Sequence, residues 1–182
     1  MDADYSVELG PDDAVLEVPW SSPDDSVRYH DLKRHPELVD QLPEVHAAPE
    51  LRDFLLAINS SQAPFETAKC DTWFSDDVET GEEIYGSCKF SSYVDILFSS
   101  DAQRFSFPAH ETLARHLAEL LAQAPEIPAS AEFIIRRCYY GVAAGFYISF
   151  YLAGFGEDEA SARRAWATAL QYSKESLSCL SA

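Results

Sequence analysis

The chain has 182 residues, of which 47% are hydrophobic and 13% aromatic, so it can bury a core and is too apolar to be disordered over most of its length. Its formal net charge is -18, whereas binding to phosphate groups requires clustered Lys and Arg. We therefore expect neither a nucleic acid nor an anionic membrane as a partner. The acidic start, Met-Asp-Ala-Asp-Tyr, lacks the features of a signal peptide, which predicts a cytoplasmic protein.

Residues 1–48 are rich in Asp, Glu, Pro and Ser, which favour loops and turns. This composition predicts an acidic N-terminal arm over 1–48 that packs more loosely than an α+β domain over 49–182. Apolar residues such as Leu16 and Trp20 could dock the arm on that domain. We expect the domain to fold without the arm.

The spacing of apolar residues predicts the elements between residues 49 and 124. Leucines recur at helical spacing after Pro49 and again after Pro108. Between these helices, apolar and polar side chains alternate, and the longest alternating run calls for a bulge near Ser91-Ser92. The expected elements are a helix from Pro49, strands over 65–75, 84–99 and 104–107, and a helix over 108–124.

The most aromatic segment of the chain, residues 139–155, predicts a hairpin. A Gly-Val-Ala-Ala-Gly break separates two runs of β-forming residues, 130–140 and 146–155. The second run alternates, with Phe150 in its apolar row and Tyr151 in its tyrosine row. A final helix follows Gly156. The predicted fold is α+β, with a mostly antiparallel sheet of about five strands, helices on one face and the order αβββαββα.

No pattern in the sequence indicates a cofactor or a metal. The four cysteines form no Cys-x-x-Cys pair, and we expect Cys70 and Cys88 to be buried, reduced core residues. The five histidines do not fall on common helix faces. The chain contains no Gly-x-Ser-x-Gly, no Gly-x-Gly-x-x-Gly and no Walker-type loop. We therefore expect no metal, no cofactor and no recognisable catalytic centre.

The alternation of side chains along the predicted strands places a set of aromatic and charged residues on the sheet face away from the helices. Such residues suit protein recognition, because aromatic rings give large contact areas with a polar handle. A solvated sheet face with cross-strand charge pairs would show the same pattern. The candidate partner-binding residues are Lys69, Trp73, Tyr85, Lys89, Tyr93, Asp95, Arg136, Tyr147 and Tyr151.

The element order, the small size and the acidity resemble the secretion-chaperone-like fold, which includes the type III secretion chaperones and the YbjN group. The resemblance covers residues from about 49 to 180. It implies a homodimeric binding protein without a catalytic centre.

These observations predict a non-catalytic cytoplasmic module that binds a protein or peptide, in a chaperone- or regulator-like role. One alternative is an acidic immunity or antitoxin-type protein that neutralises a basic partner by charge complementarity. A second alternative is an enzyme with an unrecognised carboxylate site, for which Asp71, Asp95 and Arg136 are the candidates.

Overall fold

The computed structural model describes residues 1–22 and 28–179. In this part of the chain six strands and five α-helices form an α+β fold. The strands are β1 (Asp2–Glu8), β2 (Val15–Val18), β3 (Phe65–Ser75), β4 (Cys88–Phe98), β5 (Ala129–Tyr140) and β6 (Ala143–Gly156). The helices are α1 (Pro43–Ala47), α2 (Glu50–Ile58), α3 (Asp101–Arg104), α4 (Phe107–Ala122) and α5 (Glu159–Cys179).

All six strands belong to one mixed, mostly antiparallel sheet. Its order is β1-β5-β6-β4-β3, and β2 continues the edge of the sheet beside β5. The pairs β3–β4, β4–β6 and β5–β6 are antiparallel, whereas β1 and β2 both run parallel to β5. The order places the aromatic hairpin, β5 and β6, in the interior of the sheet, as its apolar row requires.

Helices α2, α4 and α5 cover one face of the sheet, which we call the helix face. The apolar row of β6 lies there, where Phe150 packs against Phe133 and Phe54 with ring centroids 4.8 and 5.9 Å apart. The leucines of α4 and the apolar stripe of α2 are buried against the same surface, as their spacing predicts. None of the described helices is long and apolar enough to cross a membrane.

Helix α5 packs on the sheet with direct backbone contact. A Cβ atom at Gly154 would collide with the backbone nitrogen of Trp166 and the carbonyl oxygen of Ala162. The Trp166 side chain is fully buried, lies 4.8 Å from the Phe90 ring and donates its indole N–H to Ser92 Oγ at 2.8 Å. Only glycine allows this approach, so the glycines of β6 mark a packing contact as well as a bend.

Residues 1–22 and 28–48 contribute strands to the sheet and side chains to its packing. β1 and β2 pair with β5 along its full edge, and Leu16 joins Leu97, Cys138 and Tyr147 in a second cluster of buried side chains. The segment before α2 adds Val39 to the main core. The Lys33 ammonium group donates to the carbonyl oxygens of Ser60, Ala63 and Phe65 at 2.6 to 2.9 Å.

Three local predictions differ from the structure. Residues 104–107, predicted as a third strand, instead contain the end of α3, a turn and the start of α4, and Arg104 reaches back to Glu66 on β3 and to the Phe98 carbonyl. The strand predicted from residue 84 begins at Cys88, and Ile84 is 79% exposed in a 3-10 turn. The bulge lies between Thr67 and Cys70 on β3, not in β4.

We expect the N-terminal strands to contribute to global stability. Replacing Leu16, which is 2% exposed, with Ala should lower the free energy of unfolding by about 2–4 kcal/mol, because it leaves a cavity in the second cluster. The neighbouring Val15 is 47% exposed, and Val15→Ala should cost less than about 1 kcal/mol. Urea unfolding of both variants measures the difference. Equal, small losses would mean that β2 frays before the domain unfolds.

Candidate functional site

The sheet face away from the helices is ordered in rows that run across the strands. Side chains of directly paired residues share a face, so the pairing register defines each row. One row has small residues between its two ends: Trp73, Ser91, Ala153, Ser130 and Asp2. The next row, which we call the tall row, has large side chains in its centre and an acid at each end: Asp71, Tyr93, Tyr151, Glu132 and Asp4.

The small row forms the floor of an open groove with a volume of about 700 Å³. One wall is the tall row, in which Tyr93 and Tyr151 lie with ring centroids 5.6 Å apart. The other wall is the loop between β3 and β4, which folds over the sheet face. Tyr85 fixes this loop by stacking on Phe155 at 5.7 Å and by donating its hydroxyl hydrogen to Asp2 Oδ2 at 2.8 Å.

The lining of the groove is strongly acidic. Its carboxylates are Asp2, Asp4, Glu79, Glu82 and Glu132, and Lys89 is the one cation among the described lining residues. Lys89 is already bound to Glu82, with an N–O distance of 2.9 Å. Within residues 1–22 and 28–179 the other four carboxylates have no Lys or Arg partner, although Glu132 accepts a hydrogen bond from Ser6 Oγ. The groove therefore presents a negative potential together with aromatic walls.

A chain of hydrogen bonds beside the groove ties four strands together. Arg136 on β5 donates from Nε to Glu8 on β1 at 2.7 Å, and from Nη1 to Ser149 and Tyr151 on β6 at 3.0 and 3.3 Å. Ser149 in turn donates to Asp95 Oδ1 on β4 at 2.7 Å. Because Tyr151 is a wall of the groove, this network positions the wall and holds β1 against the sheet.

Asp95 is the most strongly perturbed acid of this network. Burial raises the pKa of Asp95 to about 6, and the hydrogen bond from Ser149, with the charges of Lys69 and Arg136, opposes the shift. Burial also raises the pKa of Tyr147 to about 12. Both side chains are 4% exposed, so they lie beneath the site and do not reach a partner.

The structure divides the nine predicted site residues into three groups. Trp73, Lys89 and Tyr151 line the groove, and Tyr85 and Tyr93 support its walls. Asp95, Arg136 and Tyr147 lie in the network and the second cluster beneath them. Lys69 lies outside the groove, at the bulge of β3, with its ammonium group 4.6 Å from the centre of the Trp20 ring.

Sequence reasoning missed the acidic half of the groove. Asp2 and Asp4 belong to β1, which was assigned to the arm although residues 2–8 alternate polar and apolar side chains. That alternation is the signal that would have identified the strand. Glu79 and Glu82 approach the groove only because their loop folds back over the sheet, which no local pattern indicates.

The residues predicted as catalytic candidates do not converge. Asp95 is buried and does not line the groove, whereas Asp71 is exposed on the edge strand β3. Cys88 is buried as predicted, but Cys70 is only partly buried, and both thiols are free. Burial raises the pKa of Cys70, which makes this thiol unreactive. Within the described residues, no group of three or more His, Cys, Asp or Glu side chains could hold a metal ion.

Comparison with known proteins adds no relative. No protein-family model, no curated protein and no solved structure matches the chain.

Replacing Asp95 with Asn should stabilise the protein at neutral pH. The pKa of Asp95 is higher in the folded state than in the unfolded state, so ionisation of this group disfavours folding. The Asp95 contribution to stability is present below about pH 4 and is lost as the pH rises through about 6. The stability difference between Asp95→Asn and the parent should therefore grow from near zero at pH 4 to roughly 2–3 kcal/mol above pH 6.

Urea unfolding from pH 4 to pH 7.5 measures this difference. Asp12 is an exposed acid in the loop between β1 and β2, and Asp12→Asn is the control, for which we expect a nearly constant difference. An Asp95→Asn variant that becomes less stable than the parent as the pH rises from 4 to 7.5 would show that the network requires the negative charge, and would contradict the raised pKa.

Proposed function

We propose that the protein binds a partner protein or peptide with a basic segment, and that this segment lies in the groove. The observation that supports this most strongly is the combination of two features in one concave surface. Aromatic side chains contribute to its walls, and it is lined by four carboxylates that no Lys or Arg of the described residues pairs with. Aromatic rings and Arg or Lys side chains attract each other, and a carboxylate pairs with the same cations.

The dimensions of the groove fit an extended peptide. Its floor crosses five strands, which corresponds to about 19 Å at the usual spacing between neighbouring strands. An extended chain covers this length with about six residues. The floor residues Ser91, Ala153 and Ser130 are small, so a peptide backbone can approach the sheet while its basic side chains reach the acids at either end.

The chaperone- or regulator-like role implied by the secretion-chaperone resemblance is one form of such binding. An immunity or antitoxin role is another, and the acidity of the groove favours a basic toxin as its partner. The two roles differ in outcome, because an antitoxin abolishes the activity of its partner. A carboxylate enzyme has less support, since the acids with a raised pKa, Glu44, Glu66 and Asp95, do not line the groove.

We expect an acetylated and amidated octapeptide of alternating arginine and valine to bind the protein. The double variant Asp4→Asn with Glu132→Gln should weaken binding at least tenfold and reduce its dependence on salt, because it removes two groove charges. Trp73→Ala should cost about 1–3 kcal/mol of binding and little stability, since the ring is 38% exposed. Isothermal titration calorimetry and thermal unfolding measure these effects.

The matched control is the double variant Asp12→Asn with Glu119→Gln, which removes two exposed charges away from the groove. Its affinity should stay within twofold of the parent. An octapeptide of alternating glutamate and valine should not bind. Equal losses in the groove variant and the control would show that net charge alone attracts the peptide and that the groove has no specific role.

A further inference from the structure

Strand β3 forms one edge of the sheet, and its two halves differ in how they are covered. Along the first half, Lys33 donates to the Phe65 carbonyl oxygen and the Trp20 indole donates to the Ala68 carbonyl oxygen at 3.0 Å. These contacts satisfy backbone groups that a neighbouring strand would otherwise bind. The bulge between Thr67 and Cys70 ends this covered half.

The second half of β3, from Cys70 to Ser75, is uncovered. In the described part of the chain, no strand pairs with its outer edge. The backbone N–H of Thr72 points away from β4 and donates to the side-chain oxygen Oδ1 of its neighbour Asp71 at 2.7 Å. By the alternation of an antiparallel edge, Cys70 and Phe74 also direct their backbone groups outward.

This open half carries two exposed aromatic residues. Trp73 is 38% exposed and Phe74 is 42% exposed, and as neighbours in a strand they point to opposite faces of the sheet. Natural sheet edges are usually protected by charges, prolines or a covering segment. The first half of β3 has such protection, whereas the second half offers apolar surface and an outer edge with which no strand pairs in the described part of the chain. An added strand would satisfy the backbone groups and cover both rings.

We propose that the second half of β3 receives a second extended segment of the partner, next to the one in the groove, so that this segment becomes the outermost strand of the sheet. This inference rests on the proposed function, because Trp73 both lines the groove and belongs to this edge. The incoming strand has alternating basic and apolar residues. Its basic side chains face Asp71 and the Trp73 ring, and its apolar side chains cover Phe74 on the other sheet face.

The charges around the edge select the partner over a second copy of this chain. The acidic residues Asp71, Asp76, Asp77 and Glu79 lie on or directly beyond the open half. Two copies paired edge to edge would bring these like charges together, in a chain whose net charge is already -18. A basic strand would be attracted by the same residues.

The test uses Thr72→Pro, which removes the outward N–H and leaves the residues of the groove unchanged. Proline is tolerated on an edge strand where the N–H faces solvent, so the variant should fold. Thr72→Val is the matched control, because it keeps the N–H and favours a strand. We expect a sixteen-residue peptide of alternating arginine and valine, long enough to occupy both the groove and the edge, to bind Thr72→Pro at least tenfold more weakly than the parent, and Thr72→Val within twofold.

Amide hydrogen exchange of the parent protein gives a readout that does not depend on the folding of a variant. The sixteen-residue peptide should slow exchange at Cys70, Thr72 and Phe74 at least tenfold, because an added strand engages their backbone groups. Together with the loss of binding in Thr72→Pro, this protection would establish strand addition.

Three outcomes would overturn the inference. In the first, the peptide binds Thr72→Pro as tightly as the parent and protects no amide of β3, while Asp4→Asn with Glu132→Gln still weakens its binding. The peptide then lies in the groove alone, and only the added strand is excluded. If the peptide does not bind the parent at all, the proposed function fails as well. If sedimentation without peptide shows a dimer that Thr72→Pro abolishes, the edge belongs to a second copy.

Discussion

The close contact between α5 and the centre of the sheet determines where everything else in this fold can lie. Gly154 lets the helix backbone approach β6, and Trp166 then fills the space over β4 with its indole bonded to Ser92. A helix seated so closely fixes the apolar faces of the central strands toward one side. Residues that alternate with these apolar side chains, such as Ser91, Tyr93 and Tyr151, therefore face the other side of the sheet.

The sheet face away from the helices, which we call the second face, has one closed part and one open part. Toward the β5–β6 turn, Leu16 and Tyr147 belong to a second buried cluster that the N-terminal segment closes. Toward the opposite end, a row of small residues leaves the groove open, and acids surround it. The network from Glu8 through Arg136 to Asp95 lies between these parts and joins β1 to the central strands. The groove thus has a hydrogen-bonded support, although lining residues such as Trp73 are exposed.

The sequence predicts the three long helices and the central strands, because apolar residues recur in each of them at helical or strand spacing. The α+β class follows from these elements. The sequence also places Trp73, Tyr93 and Tyr151 on one face, since a strand alternates with a period of two whatever its tertiary partners. The same reasoning fails for residues 2–8. Their acidic composition led to an assignment to the N-terminal arm, although their side chains alternate with the period of a strand. Sequence reasoning cannot locate the Glu79 carboxylate, whose position depends on how a loop folds. A segment as short as 104–107 carries too few residues for its pattern to separate a strand from a helical turn.

Binding of a basic segment to the second face is the central claim. The most direct measurement is nuclear magnetic resonance titration of the isotopically labelled protein with the arginine–valine octapeptide. The account predicts that the largest shifts map to the Trp73 indole, Tyr151, Ser91 and Ser130, while signals from α4 and α5 stay nearly unchanged. Shifts concentrated on the helices, or spread evenly over all exposed acids, would contradict it.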